Sequence, residues 1–129
     1  MSTLTKAGRQ LQRDALAAAL VGGAYVIYDG DGRELGKATF PSDWEREGDS
    51  AFVFRSLDQG RVSRAGIASS FAAIPAGGES ALIAGTIGQA LGKGVDVVVE
   101  PINGQDGRQL YEGMDLDIEL FRHEAQFDI

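Results

Sequence analysis

The residues able to do chemistry in this chain are few, and their spacing argues against most reactions. Asp29, Asp31 and Glu34 surround Gly30 and Gly32 in a stretch that briefly looks like a calcium loop. An EF-hand loop needs a third oxygen ligand at its fifth position, glycine at the sixth and glutamate at the twelfth. Here Arg33 takes the fifth position and Leu35 the sixth. A hairpin turn accounts for both glycines without a metal. Asp115, Asp117 and Glu119 form an acidic row on one strand face. Such rows bind cations or act as acid and base when a second group faces them, and otherwise form the solvated face of an antiparallel strand. They also suit a basic patch on a partner. His123 is the only histidine, and one histidine among several serines defines no Ser-His-Asp order. Arg61 and Arg64 are the nearest approach to a basic patch. They lack the interleaved aromatics of a nucleic-acid site. No catalytic residue, cofactor or metal ligand set is expected.

Composition narrows the classes further. The chain has 129 residues, a formal charge of −7 and no cysteine. Its length suits one domain with a core that needs no staples. Without cysteine there is no disulfide or thiolate site, and one histidine makes a structural zinc improbable. The acidic balance disfavours nucleic acid and anionic membrane surfaces. Its plainest role is solubility. No apolar run approaches the ~18 residues of a membrane span. Residues 15–21 (ALAAALV) are apolar but short for a signal sequence, and Asp14 precedes them.

The elements that would position these groups are mostly strands. Residues 3–21 read as one helix capped by Thr3 or Thr5, with Leu4, Leu11 and Ala15 near one face and Leu16 and Leu20 beside it. Lys6, Arg9 and Arg13 fall mostly elsewhere, and Gly22-Gly23 stops the helix. This helix either closes one end of a β-domain or docks on another subunit. Residues 24–28 (AYVIY) read as a strand, Asp29-Gly30-Asp31-Gly32 as a hairpin turn, and Glu34 to Phe40 as its return strand, stopped by Pro41. Residues 42–50 (SDWEREGDS) form the most polar stretch. Trp44 is expected to be exposed in it, or to fold back as a lid. Residues 51–57 form the next strand, and Asp58-Gln59-Gly60 turns it into the central hairpin.

That hairpin, residues 61–88, is expected as two long strands around Pro75-Ala76-Gly77-Gly78, with small uncharged residues on both faces. A loop at 89–94, a strand at 95–100, a turn-rich loop around Asn103-Gly104 and Asp106-Gly107, and a short strand at 109–111 follow. The last strand, residues 114–122, is expected to turn Met114, Leu116, Ile118 and Leu120 inward, and Asp115, Asp117, Glu119 and Phe121 outward. Residues 123–129 read as a tail. Seven or eight strands at near-regular spacing predict a mainly β fold. The expectation is an antiparallel β-sandwich or jelly-roll-like domain over 24–122, with one N-terminal α-helix.

The apolar residues without an expected core place are the best pointers to function. Trp44, Phe121, Phe127 and Ile129 qualify, with Leu4 and Leu11 on the helix and Arg46 beside Trp44. Aromatics and arginine are enriched at interface centres. These are the candidate partner-contact residues.

Three blocks carry a resemblance: LAAALVGGAYVIYDG at 16–30, GIASSFAAIPAGGESALIAGTIG at 66–88, and YEGMDLDIELF at 111–121. Each is similar to a block found in small β-rich virion structural proteins of tailed bacteriophages. Together they span about half the chain; residues 42–50 and the segment after Arg122 lie outside them. The resemblance implies a non-enzymatic capsid decoration or cement protein on the capsid exterior, assembled in the host cytoplasm. Its partners would be the major capsid protein and copies of itself. A head–tail connector or tail-tube component is the alternative within virions. A carbohydrate-binding β-sandwich module is the alternative outside them, although Trp44 and the tyrosines are scattered.

Overall fold

The computed structural model describes residues 5–48, 50–88, 97–98, 109–116, 118 and 120–124. One helix, α1 (Lys6–Leu20), precedes the strands β1 (Ala24–Tyr28), β2 (Glu34–Thr39), β3 (Glu45–Glu47), β4 (Ala51–Arg55), β5 (Asp58–Val62) and β6 (Gly66–Ile67). Then come β7 (Ser70–Ile74), β8 (Ile83–Gly88), β9 (Val97–Val98), β10 (Gln109–Leu110), β11 (Asp115–Leu116) and β12 (Leu120–Glu124). The chain is thus mainly β with one N-terminal helix. A seven-stranded sheet runs β11-β5-β2-β1-β7-β8-β9, a three-stranded sheet β12-β4-β3, and β6 pairs with β10. All these ladders are antiparallel except β8–β9, which is parallel.

Local chemistry explains the first elements. Thr5 caps α1, its hydroxyl accepting from the Gly8 amide at 3.1 Å. Gly22 takes φ +76° after the helix and its amide donates to Phe40 O at 3.1 Å, while Phe40 N donates to Gly23 O at 2.9 Å. The helix end is thereby tied to the end of β2. In the β1–β2 turn Asp29 accepts from the Asp31 and Arg33 amides, both at 2.9 Å, and pairs with Arg33 Nε at 2.9 Å. Its oxygens serve the turn, as an Asx residue in a hairpin does.

Aromatic and aliphatic side chains of both larger sheets and α1 meet in one core. Tyr25, Phe40 and Phe71 from the seven-stranded side touch Phe52, Phe54 and Phe121 from the three-stranded side, with Ala17 and Leu20 of α1 buried in the same cluster. Tyr25 stacks on Phe71 at 5.2 Å and 11°, and Phe40 meets Phe54 at 4.9 Å. Offset and edge contacts of this kind add to area burial. In the three-stranded sheet Val53 is buried between its register partners Glu45 and Arg122, which form the Arg55–Glu45 and Arg122–Glu47 ion pairs.

Several expectations are corrected. The central stretch is a hairpin only from Ser70 onward, where β7 and β8 pair. The Pro75 turn forms as expected, Gly78 N donating to Pro75 O at 3.1 Å with Gly77 at φ +74°. Upstream, however, residues 61–67 leave that ladder. Ser63 N and Arg64 N both donate to Leu35 O, and the chain turns so that Gly66 passes over Leu35, where a Cβ would lie 2.8 Å from Cδ2. Asp58-Gln59-Gly60 is strand rather than turn. The pivot is Ser56 at φ +53°, and the next amide, Leu57 N, is held by Ile118 O at 2.9 Å.

The last strand is broken as well. β11 belongs to the seven-stranded sheet and β12 to the three-stranded one, and crossing between them shifts the alternation by one residue. Leu116 points inward as expected, but Leu120 is half-exposed and Phe121 is buried. β12 also runs to Glu124, so His123 lies in a strand and not in a tail. The expected strand count of seven or eight becomes twelve short strands among the described residues, because the expected strands at 61–74 and 114–122 are cut and β3 forms within the polar stretch 42–50. The expected loops at 89–94 and 103–107 and the tail from 125 lie outside the described residues, as does most of the 95–100 strand.

Candidate functional site: the helix–sheet junction

α1 crosses the inner face of β3, β4 and β12, and the groups with chemistry gather there. The buried side of the helix is Arg13, Ala17 and Leu20, with Leu16 partly covered. This corrects the expected face: Leu11 is 73% exposed and Ala15 is exposed, while Arg13 points inward. Extending the stripe Leu16, Ala17, Leu20 back one turn lands on Arg13, so the periodicity held the signal and the charge masked it.

Arg13 is 3% exposed. Its Nε donates to Asp14 Oδ1 at 2.9 Å and its Nη1 to Gly48 O at 3.1 Å. Asp14 also accepts both Nε and Nη2 of Arg46, each at 3.1 Å. One carboxylate thus serves two guanidinium groups. The hydrogen bond from Arg46 is the main cause that holds the Asp14 carboxyl below the usual range; burial opposes it, and the bond from Arg13 adds to the lowering.

Arg46 lies over the Trp44 ring at 5.0 Å, within cation–π range. Trp44 in turn meets Phe52 edge-on at 6.5 Å, and Phe52 packs on His123 at 5.7 Å. Trp44 is therefore not an exposed loop residue. It is half-buried against the core, as in the lid alternative, because the β3–β4 ladder and the Arg46–Asp14 pair bring the loop back over Phe52. Phe121, expected on the polar face, is 6% exposed. Of the candidate contact residues, Trp44 and Arg46 come together here, Leu11 lies on the outer side of α1 and Phe121 sits in the core. Leu4, Phe127 and Ile129 lie outside the described residues. In the acidic row, Asp115 is exposed and 4.0 Å from Arg61; Asp117 and Glu119 are outside the described residues.

Beside this network is a cleft of about 280 Å³ lined by Gln12, Arg13, Leu16, Ser50, Phe52, Leu82 and His123. Sequence reasoning missed Gln12, Ser50 and Leu82 as site residues, since they come from three segments distant in the chain. Among the described residues no group of three His, Asp or Glu side chains is placed to hold a metal. No described helix is long and apolar enough to cross a membrane.

Burial against Phe52 pulls the His123 pKa below its usual 6.5. The unfolded chain then takes up a proton first as pH falls. Stability is expected to decline from about pH 6.5 down to the lower folded value, and this loss is then complete. Asp14 and Asp29 titrate in a second, lower window. Asp29 is held down first by the Arg33 backbone amide. Both stabilise the fold above the ordinary carboxylate value of 3.8, and that contribution is lost as pH falls through their lower folded values. Urea midpoints measured against pH check this. His123→Phe should flatten the upper decline and leave the lower one. An unchanged upper decline would mean that another group causes it.

The chain matches no family model, no curated protein and no solved structure.

Proposed function

We propose that this chain is a non-enzymatic virion structural protein of a tailed bacteriophage, and within that class a capsid decoration or cement protein. It would bind between major capsid subunits on the capsid exterior, alongside copies of itself. The observation that carries the reading is the three-block resemblance. In the fold the first block becomes the second half of α1 with β1, the second becomes β6 to β8, and the third becomes β11 and the start of β12. All three are framework, which suits a protein whose work is to hold a shape. We read the two larger sheets as closing on each other in a sandwich, a reading supported by the aromatic cluster shared between their inner faces.

The mechanism is mass action. A ligand that binds only the mature shell stabilises it, and many modest symmetric contacts add as avidity. Contact would come from the outer side of α1 around Leu11 and from the Trp44–Arg46 edge, with Leu4, Phe127 and Ile129 as further candidates. Phe121 drops from the contact set because it is buried.

Copy number tests the proposal. Quantitative mass spectrometry of purified particles is expected to give this chain at a ratio to the major shell protein near one, or a simple fraction of it. A handful or a few dozen copies would move it to the neck or tail. Its absence from particles would end the virion reading.

A further inference from the structure

We propose that the cleft between α1, the start of β4, β12 and Leu82 is a binding site for a small organic acid: one carboxylate on a compact apolar body. The volume, about 280 Å³, lies at the lower edge of small-molecule sites, which run from roughly 300 Å³ upward. The lining divides by chemistry. Leu16, Phe52 and Leu82 are apolar, while Gln12, Arg13, Ser50 and His123 bring hydrogen-bonding groups to the same space.

Arg13 decides the sign of the ligand. It is 97% buried by its 3% exposure, and only its Nε and Nη1 have partners among the described residues. No side-chain nitrogen there is both fully buried and unpartnered, so the free Nη2 keeps some accessible surface, and Arg13 lines the cleft. Asp14, its one paired carboxylate, is shared with Arg46. A buried guanidinium with half a counter-ion and an unused donor favours an incoming carboxylate, since charged hydrogen bonds are the strong ones. The His123 ring and the Ser50 hydroxyl supply further polar contacts, and Phe52 and Leu16 receive the apolar body. The site is independent of the virion reading.

The probe is phenylacetate, followed by NMR through the imidazole C–H signals of His123, the only histidine in the chain. A saturable shift with a Kd on the order of 1 mM is expected. Phenylacetamide, of like shape without charge, should bind at least about tenfold more weakly, and acetate likewise, for want of the apolar body. Leu82→Asp places a like charge at the mouth on a residue already 45% exposed, so it should leave the fold intact and weaken phenylacetate about tenfold. Arg13→Gln should abolish binding where its urea midpoint shows a folded chain; Leu82→Asp decides the matter if it does not fold. N-acetyl-glycyl-phenylalanine separates two sources of the same chemistry: tighter binding than phenylacetate assigns the site to a peptide terminus, and weaker binding to a free acid. The proposal falls if phenylacetate gives no saturable shift up to about 50 mM. It falls equally if the amide or acetate binds as well as phenylacetate, or if Leu82→Asp changes nothing.

Discussion

Phe121→Ala is expected to destabilise the fold by about 3–5 kcal/mol, the range for removing a buried phenylalanine. Four aromatic rings converge on this side chain. Phe40 lies at 5.1 Å, Tyr25 at 5.6 Å, Phe71 at 6.2 Å and Phe52 at 6.3 Å, the first three in edge-on geometry. Truncation leaves a cavity where the two sheets meet, and rings held by separate ladders cannot all move in to fill it. A fall in melting temperature on the order of 15 °C follows for a chain of this size. The neighbouring Leu120→Ala should stay within about 0.5 kcal/mol, because Leu120 is 51% exposed. Denaturant unfolding of the two variants side by side measures the phase of β12 directly. A larger loss for Leu120→Ala would reverse it and restore the uninterrupted alternation expected from residues 114–122.

Gly60→Ala is expected to cost more than about 3 kcal/mol or to prevent folding, beyond the usual range for overpacking. A Cβ on Gly60 would lie 1.6 Å from the carbonyl oxygen of Lys37 and 2.7 Å from its carbon. Both belong to the backbone of β2, so no side chain can swing aside. The β2–β5 register shifts between Lys37 and Thr39, and this irregularity presses the Gly60 backbone onto its neighbour. β5 also carries β11 on its other edge through the Leu116–Gly60 pair, so a displaced β5 would take that edge of the seven-stranded sheet with it. Gly32→Ala is the control. Its φ of +82° strains an alanine, yet nothing lies within 4 Å of the added carbon, and a cost of about 1–2 kcal/mol is expected. Gly60 itself has no positive φ, so a loss at Gly60 no larger than that at Gly32 would show that the β2–β5 ladder gives way to the added carbon and that close approach does not set the need for glycine at 60.

Both predictions rest on the chain changing sheet, and this marks how far local patterning reaches. Elements whose signals are local were legible. The Thr5 cap and Gly22 end place α1, and Asp29 to Gly32 with flanking β-formers place β1 and β2 to within a residue. Pro75 and Gly77 place the turn before β8. Each depends on backbone conformations and hydrogen bonds spanning a few residues, which the sequence alone determines. The mainly β class with one N-terminal helix follows from the same signals.

The candidate site was only half legible. Trp44 and Arg46 stood out by residue type, but whether an aromatic lies in solvent or in a core depends on what other segments bring to it. Trp44 is covered because α1, 30 residues earlier in the chain, offers Asp14 to Arg46. Phe121 is covered because β11 and β12 belong to different sheets, and period-2 alternation carries no record of a one-residue slip. Arg13 falls off the stripe expected from Leu4, Leu11 and Ala15, yet helical geometry turns it inward and a remote carbonyl, Gly48 O, receives it. Local propensity and turn chemistry were therefore determined by the sequence. Which strands share a sheet, which face of β12 meets the core and which side chains line the cleft were decided by contacts between distant segments, whose strength depends on a three-dimensional arrangement that no short window of sequence contains.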